Sequence, residues 1–378
     1  MKNIFIISSV LFSITLLSWL LFVFFVKDPK EIEEKPSPIS EIQEKEEPKE
    51  TSSPFQIFSD FPILSPLLSE DGSSIFGYHK ETSTLYSLNV ESGEKKVLQD
   101  TQLTNPLIAL WAKDPRISIL KTSPQKNAEY FLVDSNSQTT TPLPSNITYL
   151  NWDNLSEKII FIQRKKPEEI LFSTAKPDGS EPKELLTITE KGRISLIPVP
   201  QSPAIAYWPQ SANTKISPLF HINLSSGTKT EIFSGRYGGD YLYSPDGEKI
   251  LLSWSPEKNS SKLTLALLNK YGGQYKDLGL PTLVSKCAWG KNTVHIYCAV
   301  PTGIPQTAVM PDDYLNGKVS TVDSLWKINV ETGKKERVVE LSDIKETFDV
   351  TNIFIDASEQ FLYFTNKSTN ILYKVKLP

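Results

Sequence analysis

A short phrase recurs along this chain: a turn rich in Ser, Asp and Gly, then an alternating apolar strand, a Leu-Tyr or Leu-Trp strand, and a polar Gly turn. It is sharpest at Ser244-Pro245-Asp246-Gly247, followed by Lys249 to Trp254. The second half of the phrase is Leu85-Tyr86-Ser87-Leu88-Asn89-Val90-Glu91-Ser92-Gly93, echoed by Leu325-Trp326-Lys327-Ile328-Asn329-Val330-Glu331-Thr332-Gly333. Alternation with period two marks half-buried strands, and the Asp-Gly and Ser-Gly pairs mark the turns between them. A repeat of this kind restricts the chain to modular β architectures.

Turn centres fall near residues 71, 114, 154, 202, 246, 291 and 357, with gaps of 43, 40, 48, 44, 45 and 66. One four-stranded propeller blade occupies about 40–50 residues, so the spacing predicts seven blades with an insertion in the sixth. The seventh unit holds only three strands, whereas Phe55-Gln56-Ile57-Phe58 stands unused upstream. That segment is expected to supply the missing outer strand and close the ring, which removes exposed sheet edges. The expected fold is an all-β, seven-bladed β-propeller of four-stranded antiparallel blades over residues 54–378, with the insertion at 299–324.

Two other segments precede it. Ile4 to Val26 are 23 consecutive uncharged, mostly apolar residues, enough to span a hydrocarbon core of about 30 Å as a helix. The run is longer than the apolar core of a signal peptide and lacks an Ala-x-Ala site. Residues 1–26 are therefore expected to be one transmembrane signal-anchor, placing the protein in the plasma membrane as a single-pass chain. Residues 27–53 follow as an acidic Pro/Glu/Lys linker with nine acidic and five basic residues. Too few apolar side chains are present there to offset ordering entropy. The linker carries the whole net charge of −4, leaving the propeller near neutral and arguing against nucleic acid as a partner.

Ser244-Pro245-Asp246-Gly247-Glu248-Lys249-Ile250-Leu251 resembles the blade turn of TolB-like and WD40-like propeller repeats, and Glu70-Asp71-Gly72-Ser73-Ser74-Ile75 matches it in part. The resemblance covers residues 55–378 as architecture. It implies a protein-binding or scaffolding platform outside the cytoplasm and carries over no ligand residue. Asp71 and Asp246 are accounted for as turn chemistry, and the tryptophans as packing between blades.

No catalytic constellation stands out, and no cofactor or metal site is expected. His79, His221 and His295 lie in different units without zinc spacing. There is neither a nucleophile elbow nor a phosphate loop. Alignment of the sixth hairpin on Ser244–Glu248 sets Cys287 opposite His295, which disfavours a bond to Cys298; a longer turn would join them. The insertion is the expected place for specificity, with Asp312, Asp313, Tyr314 and Asp323 as the candidate binding loop. A Pro-braced loop capping one face of the ring is the plainer account of the same residues.

The leading expectation is thus a membrane-tethered, non-catalytic module that binds another envelope or membrane protein, or a surface polymer. The balance of residues is against an enzyme. The alternative is a carbohydrate-binding protein or carbohydrate-active enzyme, a glycoside hydrolase or polysaccharide lyase, using the central channel. Hydrolysis by that route needs two convergent carboxylates, for which Asp153, Asp240 and Asp356 are the candidates. Constitutive structural support within an envelope complex is a third possibility.

Overall fold

A computed structural model describes residues 53–123, 129–340 and 346–378. Ser52–Pro378 forms one compact unit. The expected anchor at 4–26 and nearly all of the linker lie outside the described residues. Among those described, no helix is long and apolar enough to cross a membrane.

Seven four-stranded antiparallel sheets form the ring. In six of them the strands follow chain order, and the first strands of neighbouring sheets pack on one another around the axis. These inner strands are Ile63–Leu68, Pro106–Trp111, Ile147–Trp152, Ile194–Pro198, Asp240–Tyr243, Cys287–Trp289 and Val350–Ile355. The seventh sheet is completed on its outside by Phe55–Ile57, antiparallel to Leu372–Lys376, with Phe55 opposite Val375 and Ile57 opposite Tyr373. The seven-bladed ring and its clasp are as the spacing predicts.

Stacking sheets face to face explains why second strands such as Lys249–Trp254 are apolar almost throughout: both faces meet a neighbouring blade. Seven buried clusters correspond to the seven joints. Tyr207 and Phe172 belong to the joint between blades three and four, and Leu120 and Tyr78 to that between one and two. An eighth cluster, with Leu263, Leu283, Ala308, Met310 and Tyr314, lies beneath the insertion. Fourth strands such as Lys95–Asp100 face solvent and stay largely polar.

The Ser-Pro-Asp-Gly turn works as its residues suggest. Ser244 Oγ accepts from Lys249 N–H at 2.9 Å, and Asp246 Oδ1 accepts from Glu248 N–H at 3.0 Å. Asp246 Oδ2 also accepts from Thr293 Oγ1 at 3.0 Å, joining blades five and six. Gly247 has φ of 72°, and a Cβ there would sit 2.3 Å from Pro200 O of blade four. Glycine is required on both counts.

The sixth hairpin departs from the expected register. Gly290 takes the place expected of Trp289, its N–H bonding His295 O at 2.8 Å. Cys287 consequently faces Cys298, and the two form a disulfide. The second and third strands of this blade, His295–Pro301 and Asp323–Asn329, are joined by residues 302–322, which contain one short helix, Asp312–Leu315.

Candidate functional site

The direction of each inner strand defines two faces. Inner-strand starts, second-strand ends and the 302–322 connection share one face, which we term the upper; the repeated Asp turns occupy the other. Asp153 and Asp356 belong to those lower turns. Asp153 Oδ1 accepts from Glu157 N–H at 2.9 Å, and Asp356 Oδ1 from Phe361 N–H at 2.6 Å. Asp240 begins its inner strand on the upper face. The three carboxylates therefore do not converge.

The four insertion residues serve mainly to hold the loop. Asp313 Oδ2 accepts from Val309 N–H at 2.8 Å and its Oδ1 meets Lys318 Nζ at 3.2 Å. Hydrogen bonding from Val309 and Lys318 keeps its pKa below the usual carboxylate range. Asp312 Oδ2 accepts from Asn213 N–H at 2.6 Å, tying the helix to blade four. Tyr314, as a binding-loop candidate, would need an exposed ring. Instead its ring is buried, with Lys286 and Lys367 ammonium groups 4.6 and 3.4 Å from its centroid. Asp323, the last of the candidate binding loop, has a fully buried side chain paired with Lys286 Nζ at 2.7 Å. Asp312 borders an open cleft.

That cleft, about 250 Å³, runs between the loops of blade four and the insertion helix, lined by Lys191, Arg193, Lys215, Gln210, Asp312 and Asn316 among others. Three cations and one carboxylate make it suited to an anion. Arg193 immediately precedes the inner strand of blade four and links the cleft to a second group of residues nearer the channel. These are Lys121 at the end of blade two's second strand, Tyr149 near the start of blade three's inner strand, Trp208 near the end of blade four's second strand, and Asp240.

Local contacts fix this group. Trp208 Nε1 donates to Asp240 Oδ1 at 3.0 Å. Lys121 Nζ lies 5.0 Å from the Tyr130 ring centroid and 5.6 Å from that of Tyr149, within cation–π range. Burial, then the nearby Arg193 charge, lowers the pKa of Lys121. Burial pushes the Asp240 carboxyl up to about 6, outweighing the Trp208 hydrogen bond. Burial and Asp240 raise that of Tyr149. Tyr149 is the link: Lys121 lies against its ring and Asp240 acts on its hydroxyl, so an amine made easier to deprotonate and a carboxyl made easier to protonate flank one side chain.

None of Lys121, Tyr149, Arg193 and Trp208 was singled out from the sequence as a site residue. They are separated by up to 87 positions between Lys121 and Trp208, one or two per blade, with no local motif. The available signal was positional: Asp240 puts charge where the other six inner strands start with Ile, Pro, Cys or Val.

No family model matches the sequence, and no curated protein does. Solved structures do. An oligogalacturonate lyase in complex with manganese superposes with a TM-score of 0.63 at 12% identity, covering 87% of this chain and 94% of that one. The oligogalacturonate lyase from Vibrio parahaemolyticus gives 0.61 at 11% identity, covering 87% and 95%. The β-propeller domain of the trilobed protease from Pyrococcus furiosus gives 0.53 at 12% identity, covering 84% and 95%. These likenesses show the propeller fold, without singling out a TolB or WD40 identity.

They also correct one expectation. The missing sequence motifs weighed against an enzyme, yet the same ring, over nearly its whole length, serves as a lyase in two of these proteins. A propeller assembles its chemistry from separate blades, so the absence of a local motif does not exclude catalysis. Manganese is another matter: among the described residues no group of three or more His, Cys, Asp or Glu side chains is placed to hold a metal ion.

Proposed function

We propose that this chain is a carbohydrate-active propeller that binds an acidic saccharide at the upper mouth of its channel and cleaves it by elimination. The observation that carries the reading is the convergence at Tyr149, which feels the charges of both Arg193 and Asp240 and has Lys121 Nζ 5.6 Å from its ring centroid. A guanidinium pairs with a sugar carboxylate in two parallel hydrogen bonds, neutralising the charge that opposes loss of the adjacent proton. Lys121 would take that C–H proton, the electron pair would form the C=C bond, and the C–O bond to the next sugar would break. Asp240, partly protonated near neutral pH, would protonate the departing oxygen. Elimination suits this site better than hydrolysis, because the second carboxylate bordering it, Asp312, is already held by Asn213.

Purified full-length protein should be incubated with polyuronates and with neutral glucans while ultraviolet absorbance of unsaturated sugar ends is followed. Absorbance rising with a polyuronate, and lost in Arg193→Ala, supports the proposal. Failure both to form unsaturated ends and to bind any acidic saccharide overturns it.

The surroundings assigned to this activity are also a proposal. The apolar run Ile4–Val26 and the acidic linker support a single-pass anchor in the plasma membrane with the propeller outside, and the Cys287–Cys298 disulfide is consistent with an oxidising compartment. Binding to an envelope protein remains a second reading, favoured by one feature. A cleft of about 520 Å³ on the upper face, lined by Pro62, Pro106 and Leu107 among others, adjoins Leu107 and Ile108, which are 50% and 43% exposed. Cross-linking in native membranes, with and without a Leu107→Asp change, tests it: a single captured protein lost in the variant supports this reading, and unchanged capture sinks it.

A further inference from the structure

Beneath the insertion, three titratable side chains from three separate segments meet out of reach of water. Lys286 ends a short turn before the inner strand of blade six, Asp323 opens the third strand of that blade, and Asp349 precedes the inner strand of blade seven. Lys286 is 0% exposed, and the side chains of Asp323 and Asp349 are 0% and 7% exposed. Lys286 Nζ lies 2.7 Å from Asp323 Oδ2, 2.8 Å from Asp349 Oδ1 and 3.0 Å from Val350 O.

The two carboxylates are held differently. Asp349 takes hydrogen bonds from Tyr314 OH at 2.8 Å, Thr321 Oγ1 at 3.1 Å and Thr321 N–H at 3.2 Å. Burial works against its ionisation, but Lys286, Tyr314 and Thr321 outweigh it and keep its pKa low. Asp323 Oδ2 accepts from Val350 N–H at 2.8 Å, whereas its Oδ1 is buried with no partner. Burial raises the Asp323 pKa against the pull of Lys286. One carboxyl is thus suited to remain neutral and electrophilic, and the other to carry a proton between its neighbours.

We propose that Lys286 and Asp323 are joined by an intramolecular isopeptide bond, formed without any added reagent, with Asp349 as the proton shuttle. The ammonium of Lys286 passes a proton to ionised Asp349. The free amine attacks Cγ of the neutral Asp323 carboxyl, whose Oδ2 is polarised by Val350 N–H. The resulting nitrogen loses a second proton as Asp349 delivers one to the unpartnered oxygen, Oδ1. That oxygen leaves with two protons as water: a C–N bond has formed, a C–O bond has broken, and Asp349 ends protonated. No electron is gained or lost. Exclusion of water favours the amide, and the orphan oxygen, costly to bury without a partner, is the atom expelled. The product would tie the lead-in of the inner strand to the third strand of a blade whose first two strands already share a disulfide.

Intact mass of the folded full-length chain, measured after reduction and denaturation, tests this directly. The expected mass is below that of the sequence by one water, and digestion yields a branched peptide linking Lys286 to Asp323. Asp349→Asn restores the lost water while leaving the amine and Asp323 in place. The wild-type result stands even where that variant fails to fold. A full sequence mass with trypsin cleavage after Lys286, or a water loss without the branched peptide, overturns the proposal.

Discussion

The indole N–H of Trp208 donates to Asp240 Oδ1 at 3.0 Å across the joint between blades four and five. One residue comes from a second strand and the other from the first position of an inner strand. The contact anchors the carboxyl at the channel mouth while its surroundings hold its pKa near 6.

Asp240 should therefore make stability fall as pH rises. Its folded pKa of about 6 exceeds the unsupported value of 3.8. Between those values the folded state holds the proton more tightly than the unfolded state, so raising pH favours unfolding. After allowance for its half-buried position, the effect is on the order of 2 kcal/mol. Asp240→Asn should flatten this slope in urea unfolding series; an unchanged slope would show that the carboxyl is ionised throughout.

His221 should produce the opposite slope. Burial lowers its pKa from 6.5 to about 4, and its Nε2 lies 2.6 Å from Tyr243 OH. Below the unfolded value the unfolded chain gains a proton that the folded chain refuses, so stability is lost as pH falls from about 6.5 to about 4. His221→Gln should protect the fold in that window by on the order of 2 kcal/mol. Because the Asp240 and His221 effects oppose each other, each variant should unmask the other's slope. The double variant should be nearly flat by the same measurement.

Phe55→Ala should weaken the clasp. Phe55 is 8% exposed, and its ring centroid is 4.7 Å from that of Phe348 and 6.1 Å from that of Phe364. Truncating a buried aromatic at this joint is expected to cost about 3 kcal/mol. Hydrogen exchange should rise first along Leu372–Lys376, its strand partner. Loss spread evenly over all seven blades would contradict a local role.

Reducing the disulfide should cost about 3 kcal/mol, on the chain-entropy account for a loop closed across 11 positions. A Cys287→Ser, Cys298→Ala pair should show the same drop in unfolding midpoint. The proposed reacting groups lie in blades two to five, and the insertion that borders the cleft is held by its own contacts to blade four, so acidic-saccharide binding should survive the change. Its loss would mean that the disulfide sets the position of the insertion at the cleft.

The blades were legible because each is a local object: the turn at Asp246-Gly247 and the strand from Lys249 are contiguous, and their period survives drift elsewhere. The clasp could be inferred because one unit was a strand short and Phe55–Phe58 had no other use. Cysteine pairing was not legible from alignment, since Gly290 rather than Trp289 starts the turn and a short shift decides which side chains face. The insertion attracted attention for its length and carboxylates, but length did not reveal that Tyr314 and Asp323 point inward. Asp240 was named as a channel carboxylate, but Lys121, Tyr149, Arg193 and Trp208 escaped notice because they come from three separate blades and share no local motif.

Closing the ring with Phe55–Ile57 has a kinetic consequence. The first strand to emerge during synthesis finds its partner only when Leu372–Lys376 has been made. Until then blades one to six can stack in order, each joint local in sequence, while the outer edge of the last blade waits. The slowest contact to form is thus the one of longest sequence separation. A newly made chain should pass through an open, five-joint horseshoe whose two unsatisfied ends are complementary to the last blade and, at high concentration, to that of another chain.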